Sequence, residues 1–117
     1  MIVDDDYDIA NLFKVFLECN EFEVDSYTNP VEALNNFRKQ RSHDLIILDL
    51  KMPKMDGISL YQKIKEIDEQ VIICPTTADK SLIQDLQKGI TDIEKVVIYK
   101  PVLLKDLKNK IDTVLTS

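Results

Sequence analysis

Glycine is nearly absent: Gly57 and Gly89 are the only two in 117 residues. Two glycines that far apart cannot build G-x-x-x-x-G-K-[ST] or G-x-G-x-x-G, so a phosphate-cradling or dinucleotide-binding loop is excluded. Histidine is limited to His43, and Cys19 and Cys74 lie far apart with no C-x-x-C spacing. That leaves no zinc site and no nucleophile–histidine arrangement. The cysteines read as two buried reduced thiols, and His43, just before a strand, as exposed. Basic residues are outnumbered, 15 Lys and Arg against 21 Asp and Glu, a net charge of -6. This is the wrong sign for a phosphate-backbone binder, so nucleic acid contact would belong to another polypeptide. No apolar run approaches the roughly 18 residues that span a bilayer, and no basic stretch followed by an apolar one stands at the start. A soluble, cytoplasmic, single-domain protein over residues 1–117 is the expectation. There is no internal repeat, low-complexity tract or linker.

What the chain does have is organised around residues 45–57, LIILDLKMPKMDG. Four consecutive aliphatics are too few for a helix, and a loop with Pro53 and Gly57 follows at once, which reads as a strand buried on both faces. Its C-terminal end carries Asp49. In open α/β sheets ligands and chemistry collect at that edge; taken alone, Asp49 is either a ligand or nucleophile, or a strand-end cap bonded to loop amides.

The rest alternates in the same way. Residues 1–3 look like the tail of a strand, short enough that residues before Met1 are expected to belong to it. Ile9, Leu12, Phe13, Phe16 and Leu17 keep helical spacing up to a stop at Asn20. Residues 22–27, FEVDSY, alternate as a half-solvated strand. Thr28 or Asn29 caps a helix with Pro30 in its first turn, carrying Val31, Leu34 and Phe37 to about Gln40. Ile58, Tyr61, Ile64 and Ile67 mark a third helix from about Asp56 or Gly57. Residues 71–74 form a strand expected to bend or lose pairing at Pro75, and Leu82, Ile83 and Leu86 a helix that stops by Gly89. Residues 96–99 are the last strand, and Leu104, Leu107, Ile111, Val114 and Leu115 close the chain as a helix with Lys105, Lys108 and Lys110 on its wet side. Five strands alternating with five helices make an α/β fold, a parallel sheet with helices on both faces.

Under that fold the strand ends carry Asp4 and Asp5, Asp49, Thr76 and Thr77, and Lys100. Carboxylates about 4 Å apart repel by roughly 4 kcal/mol at an effective dielectric near 20, so such a trio binds a hard cation or raises a pKa. Oxygen ligands in a solvated cleft suit Mg²⁺, which takes one or two carboxylates plus substrate phosphate. The chemistry that follows is carboxylate attack on phosphorus, with metal and ammonium neutralising the equatorial oxygens.

These residues resemble the receiver domain of two-component response regulators over essentially the whole chain: V-D-D at Val3, Asp4 and Asp5, D-x-x-M-P-x-M-D-G from Asp49 to Gly57, T-A at Thr77 and Ala78, K-P at Lys100 and Pro101. The nine-residue run, with the other pairs in order and spacing, is highly specific. The resemblance implies a flavodoxin-like doubly wound (βα)5 sheet of order 2-1-3-4-5. It implies Asp49 as phosphoacceptor, Asp4, Asp5, Asp49 and the Lys51 backbone carbonyl as Mg²⁺ ligands, Thr77 on a phosphoryl oxygen, and Lys100 on the phosphate or Asp49, with a cis Lys100–Pro101 bond. Lys51 and Asp79 flank the pit and would tune phosphoryl lifetime, by pairing across it, unless both are simply solvated. The partners implied are a sensor histidine kinase or phosphotransfer protein and an output partner the residues do not identify; a homodimer is compatible. The chain is a signalling domain rather than an enzyme on this reading.

Three departures stand out. The aromatic usually three residues before the lysine is replaced by Val97, with Tyr99 beside Lys100, so the switch set is Thr77, Val97 and Tyr99. Residues 89–100 are longer than usual, and Pro75 stiffens the approach to Thr76 and Thr77. Two other readings are a degenerate receiver that binds partners without phosphorylation and an aspartyl-phosphate phosphatase. The phosphatase would want an Asp where Lys51 stands.

Overall fold

A computed structural model of the chain describes residues 1–87 and 93–116. Five strands, β1 (Ile2–Val3), β2 (Ser26–Tyr27), β3 (Leu45–Asp49), β4 (Ile72–Thr77) and β5 (Ile98–Tyr99), form one sheet ordered β2-β1-β3-β4-β5. All four pairings are parallel. Five helices alternate with them: α1 (Tyr7–Cys19), α2 (Pro30–Lys39), α3 (Gly57–Ile67), α4 (Ser81–Gln87) and α5 (Leu104–Thr116). Asp6, Asn29 and Asp56 cap α1, α2 and α3 by accepting first-turn amides, so each helix starts where a short polar side chain replaces the missing carbonyls. Among the described residues no helix is long and apolar enough to cross a membrane.

Helices cover both faces, which is why the strands read as apolar runs rather than alternating ones. Ile46, Leu48 and Ile73 pack with Leu34, Phe37, Leu60, Ile64 and Ile83 on the α2, α3 and α4 side. Ile2, Ile47, Cys74 and Ile98 pack with Ala10, Phe13, Leu17, Leu107 and Ile111 on the α1 and α5 side. Strand parity then places the strand-end residues. Asp4, Asp49, Thr76 and Lys100 each follow an α1/α5-side residue by two and share that face. Thr77 and Tyr99 fall on the other.

Several expectations need correction. β2 is only Ser26–Tyr27, because β1 offers only Ile2 and Val3 to pair with; Phe22 and Val24 still pack on the α1 side. β5 starts at Ile98, because the amides of Val96 and Val97 both bond back to the Ile93 carbonyl as the chain leaves a 3-10 turn over Ile93–Lys95. β4 runs straight through Pro75, which pairs with Leu48. The Thr76 carbonyl bonds Leu50 on the β3 side and the Thr77 carbonyl bonds Lys100 on the β5 side. Pro75 shares Thr77's direction, toward a strand whose pairing begins only at Thr76↔Ile98, so its missing N–H breaks no rung.

Leu12, Val31 and Leu115 sit on exposed flanks of their helices, the covered stripe being narrower than the apolar spacing. Cys19 is exposed at the end of α1, whereas the Cys74 thiol is buried and pushed up to about 12 by loss of solvation. The His43 ring is 9% exposed, bonded to Asp25 at 2.8 Å and set against Phe37. Gly89 lies outside the described residues, as does part of the 89–100 segment.

Gly57 opens α3 where its amide bonds the Leu50 carbonyl at 2.9 Å. A Cβ there would fall on Leu50 Cα and the Asp49 carbonyl oxygen, backbone atoms of the segment that carries the central carboxylate. Gly57→Ala is expected to lower stability by about 3 kcal/mol or more, read as a shift in the urea midpoint.

Candidate functional site

β1 and β3 are neighbours, and the register Val3↔Leu48 brings the residues that follow, Asp4 and Asp49, side by side at the C-terminal edge. Both are buried, Asp4 at 3% and Asp49 at 6% exposure, while Asp5 is exposed. One carboxylate oxygen from each of the three lies within 4.8 Å of the others. Buried carboxylates need compensation, and here it comes from the far side of the sheet. The Lys100 ammonium crosses the end of β4 to reach Asp4 Oδ2 at 2.9 Å and Asp49 Oδ2 at 3.7 Å. The expected pairing of Lys100 with Asp49 is thus present, with Asp4 as a nearer partner that was not expected. The Asp6 amide donates to Asp4 Oδ1 at 3.0 Å and the Lys51 amide to Asp49 Oδ1 at 3.2 Å. Asp49 therefore does cap its strand end, and also belongs to the trio.

Loss of solvation pushes Asp49 up to about 7; the Lys100 charge and the Lys51 amide pull it down, while the Asp4 charge and a contact with Asp5 push the same way as burial. A carboxyl in that position exchanges its proton near neutrality. An all-oxygen donor set of three carboxylates packed this closely fits a hard divalent cation such as Mg²⁺, whose charge removes the repulsion that the cluster stores.

At the end of β4 the Thr77 hydroxyl serves its own loop, accepting from the Asp79 amide at 2.9 Å and donating to the Asp79 carbonyl at 3.3 Å. Asp79 in turn accepts from Ser81 Oγ and the Ser81 amide, and these bonds hold its carboxyl below the usual range, with Lys51 a smaller contributor. Among the described residues no ion pair within 4.0 Å joins Lys51 to Asp79. Val97 is buried in the core. Tyr99 has its hydroxyl 2.8 Å from Glu94 Oε1 and the Lys80 ammonium 5.3 Å from its ring centroid. Lys100–Pro101 is cis. Sequence reasoning missed Lys80 and Glu94. Nothing in one dimension signals them, because Lys80 follows β4, Glu94 precedes β5, and only the pairing Thr77↔Tyr99 brings them together.

A family model described as response regulator receiver domain matches residues 1–112. The transcriptional regulatory protein PrrA of Mycobacterium leprae is 30% identical over 115 residues, 98% of this chain and 48% of that protein. The chemotaxis protein CheY of Bacillus subtilis is 36% identical over 105 residues, 86% of this chain and 83% of CheY. The crystal structure of a CheY-like receiver domain protein from Methanospirillum hungatei superposes with a TM-score of 0.87 at 29% identity, covering 98% of this chain and 90% of that one. This chain spans about half the length of the PrrA proteins it matches.

A carboxyl with a folded pKa of about 7 against an ordinary 3.8 binds its proton more tightly when folded. Its cost to stability is full above the folded value, shrinks as pH falls through that window, and vanishes below the ordinary one. Asp49→Asn is therefore expected to raise the thermal midpoint of metal-free protein above neutral pH, with a gap over wild type that narrows on acidification. A gap independent of pH would contradict the assignment.

Proposed function

The chain belongs to the family of response regulator receiver domains, and we propose that it accepts a phosphoryl group on Asp49 from a sensor histidine kinase or phosphotransfer protein and changes its binding surface in response. Receivers of two-component systems generally take their phosphoryl group on an aspartate, from kinases. The observation that carries the residue assignment is the buried Asp49 carboxylate, standing with Asp4, Asp5 and Lys100 at the C-terminal edge of a parallel sheet.

In the step itself an Asp49 oxygen forms a bond to phosphorus while the bond from phosphorus to the donor's imidazole nitrogen breaks, and the leaving imidazole takes a proton from solvent. Lys100 already lies beside both Asp4 and Asp49, so its ammonium offsets charge on the phosphoryl oxygens without travelling far. Asp4, Asp5, Asp49 and the Lys51 carbonyl would hold Mg²⁺, which when bound supplies charge neutralisation for carboxylates and phosphoryl oxygens together. Thr77 is the hydroxyl that turns to a phosphoryl oxygen, giving up its bonds to Asp79. Lys51 and Asp79 stand at the rim as tuning residues.

Thr77 and Tyr99 are paired across β4 and β5, and Lys80 of the Thr77 loop lies over the Tyr99 ring. A shift of that loop loosens Lys80 from the ring and leaves Tyr99 with Glu94. In this chain Tyr99 takes the reporting part that a residue at Val97, sealed in the core, would otherwise have. The whole of residues 1–117 acts as one cytoplasmic receiver domain, a signalling module and not a classical enzyme. Its output is a protein contact, with a partner or with a second copy, and not a direct contact with nucleic acid.

The test is intact-protein mass after incubation with acetyl phosphate and Mg²⁺. Wild type is expected to gain one phosphoryl group, Asp49→Asn and an EDTA-treated sample none. Thr77→Ala is expected to keep partial uptake while losing the change at Tyr99, read by NMR of ring-labelled tyrosine. Uptake by Asp49→Asn at the wild-type level would overturn the assignment.

A further inference from the structure

Thr76 is 1% exposed, and its hydroxyl oxygen is buried with no hydrogen-bond partner. Buried hydroxyls are nearly always paired, so an orphan one calls for a reason. Thr76 pairs with Asp49 across β3 and β4. Residues directly opposite on neighbouring strands point to the same face, about 4.8 Å apart. On its other side Thr76 pairs with Ile98, two residues before Lys100, whose ammonium crosses the end of β4 to reach Asp49 and Asp4. Thr76 thus stands on the face shared by Asp49 and Lys100, between the strands that carry them. There Asp49 Oδ1 takes the Lys51 amide at 3.2 Å, while Oδ2 has the ammonium at 3.7 Å, too far for a hydrogen bond. A hydroxyl without an acceptor and a carboxylate oxygen short of a donor stand on opposed residues.

We propose that Thr76 is a positioning residue for phosphoryl transfer: by turning about its Cα–Cβ bond its hydroxyl donates to Asp49 Oδ2, fixing the carboxylate so that the other oxygen meets phosphorus. The hydroxyl keeps its proton throughout, and no covalent bond changes at Thr76. This rests on Asp49 being the phosphoryl acceptor.

The experiment compares wild type, Thr76→Val and Thr76→Ser. Phosphoryl uptake from acetyl phosphate and Mg²⁺ is followed by intact mass against time, and thermal unfolding is recorded separately in EDTA. Thr76→Val keeps the shape and removes the hydroxyl. It is expected to slow uptake about fivefold or more, the worth of one hydrogen bond, while unfolding at the same or a higher temperature because an unpaired buried hydroxyl is gone. Thr76→Ser restores the rate. A slowed, destabilised Thr76→Val whose rate serine does not restore would mean a packing role and overturn the proposal. Wild-type uptake with an unaltered Thr76→Val rate overturns this proposal alone, whereas uptake by Asp49→Asn at the wild-type rate overturns the acceptor assignment and this with it.

Discussion

Burial of carboxylates at one edge of the sheet governs this site. Asp4 and Asp49 are buried at adjacent strand ends with Asp5 beside them, and the ammonium that offsets them comes from Lys100, on the opposite side of β4. Burial outweighs that ammonium at Asp49, whose carboxyl is held near neutrality. The pit is thus poised rather than relaxed. Whatever adds positive charge or disperses the negative charge stabilises it, which is the condition a phosphoryl acceptor with a divalent cation requires.

The sheet also divides its strand-end polar groups between two faces. Asp4, Asp49, Thr76 and Lys100 point toward α1 and α5, whereas Thr77 and Tyr99 point toward α3 and α4. β4 lies between the two faces and carries a residue for each at its last two positions. The Asp49 side and the other face are thus joined by the last peptide unit of β4 and the loop of Thr77, Asp79 and Lys80, with Tyr99 and Glu94 next in contact. Gly57 serves the same edge mechanically, letting α3 start against the backbone of Asp49 and Leu50.

Most of the fold was legible because its apolar runs are local. Leu45 to Leu48, and the cap at Thr28 or Asn29 before its helix, carry their structure in a few consecutive residues. Where structure depends on a partner strand, local reading overreached. FEVDSY alternates like a full strand, yet pairs only at Ser26 and Tyr27 because β1 is short. Pro75 looks like a break, yet its missing donor faces a side where no rung forms. His43 looks exposed and Cys19 buried; helix-face position and Asp25 decide otherwise. The candidate site was legible as a pattern of strand ends, and Lys100 does lie beside Asp49, but its shorter contact with Asp4 was not legible.

What the sequence by itself determined is the inventory: alternating elements, and acids, hydroxyls and one lysine at the ends of apolar runs. These follow from short-range rules of periodicity, capping and turn chemistry. Only the tertiary structure decided which of those groups face one another, because strand order and register join residues far apart in the chain. Val3↔Leu48 sets Asp4 beside Asp49, and Asp49↔Thr76 sets an unpaired hydroxyl opposite that carboxylate's residue. Thr77↔Tyr99 joins the strands whose flanking segments bring Lys80 and Glu94 to one ring.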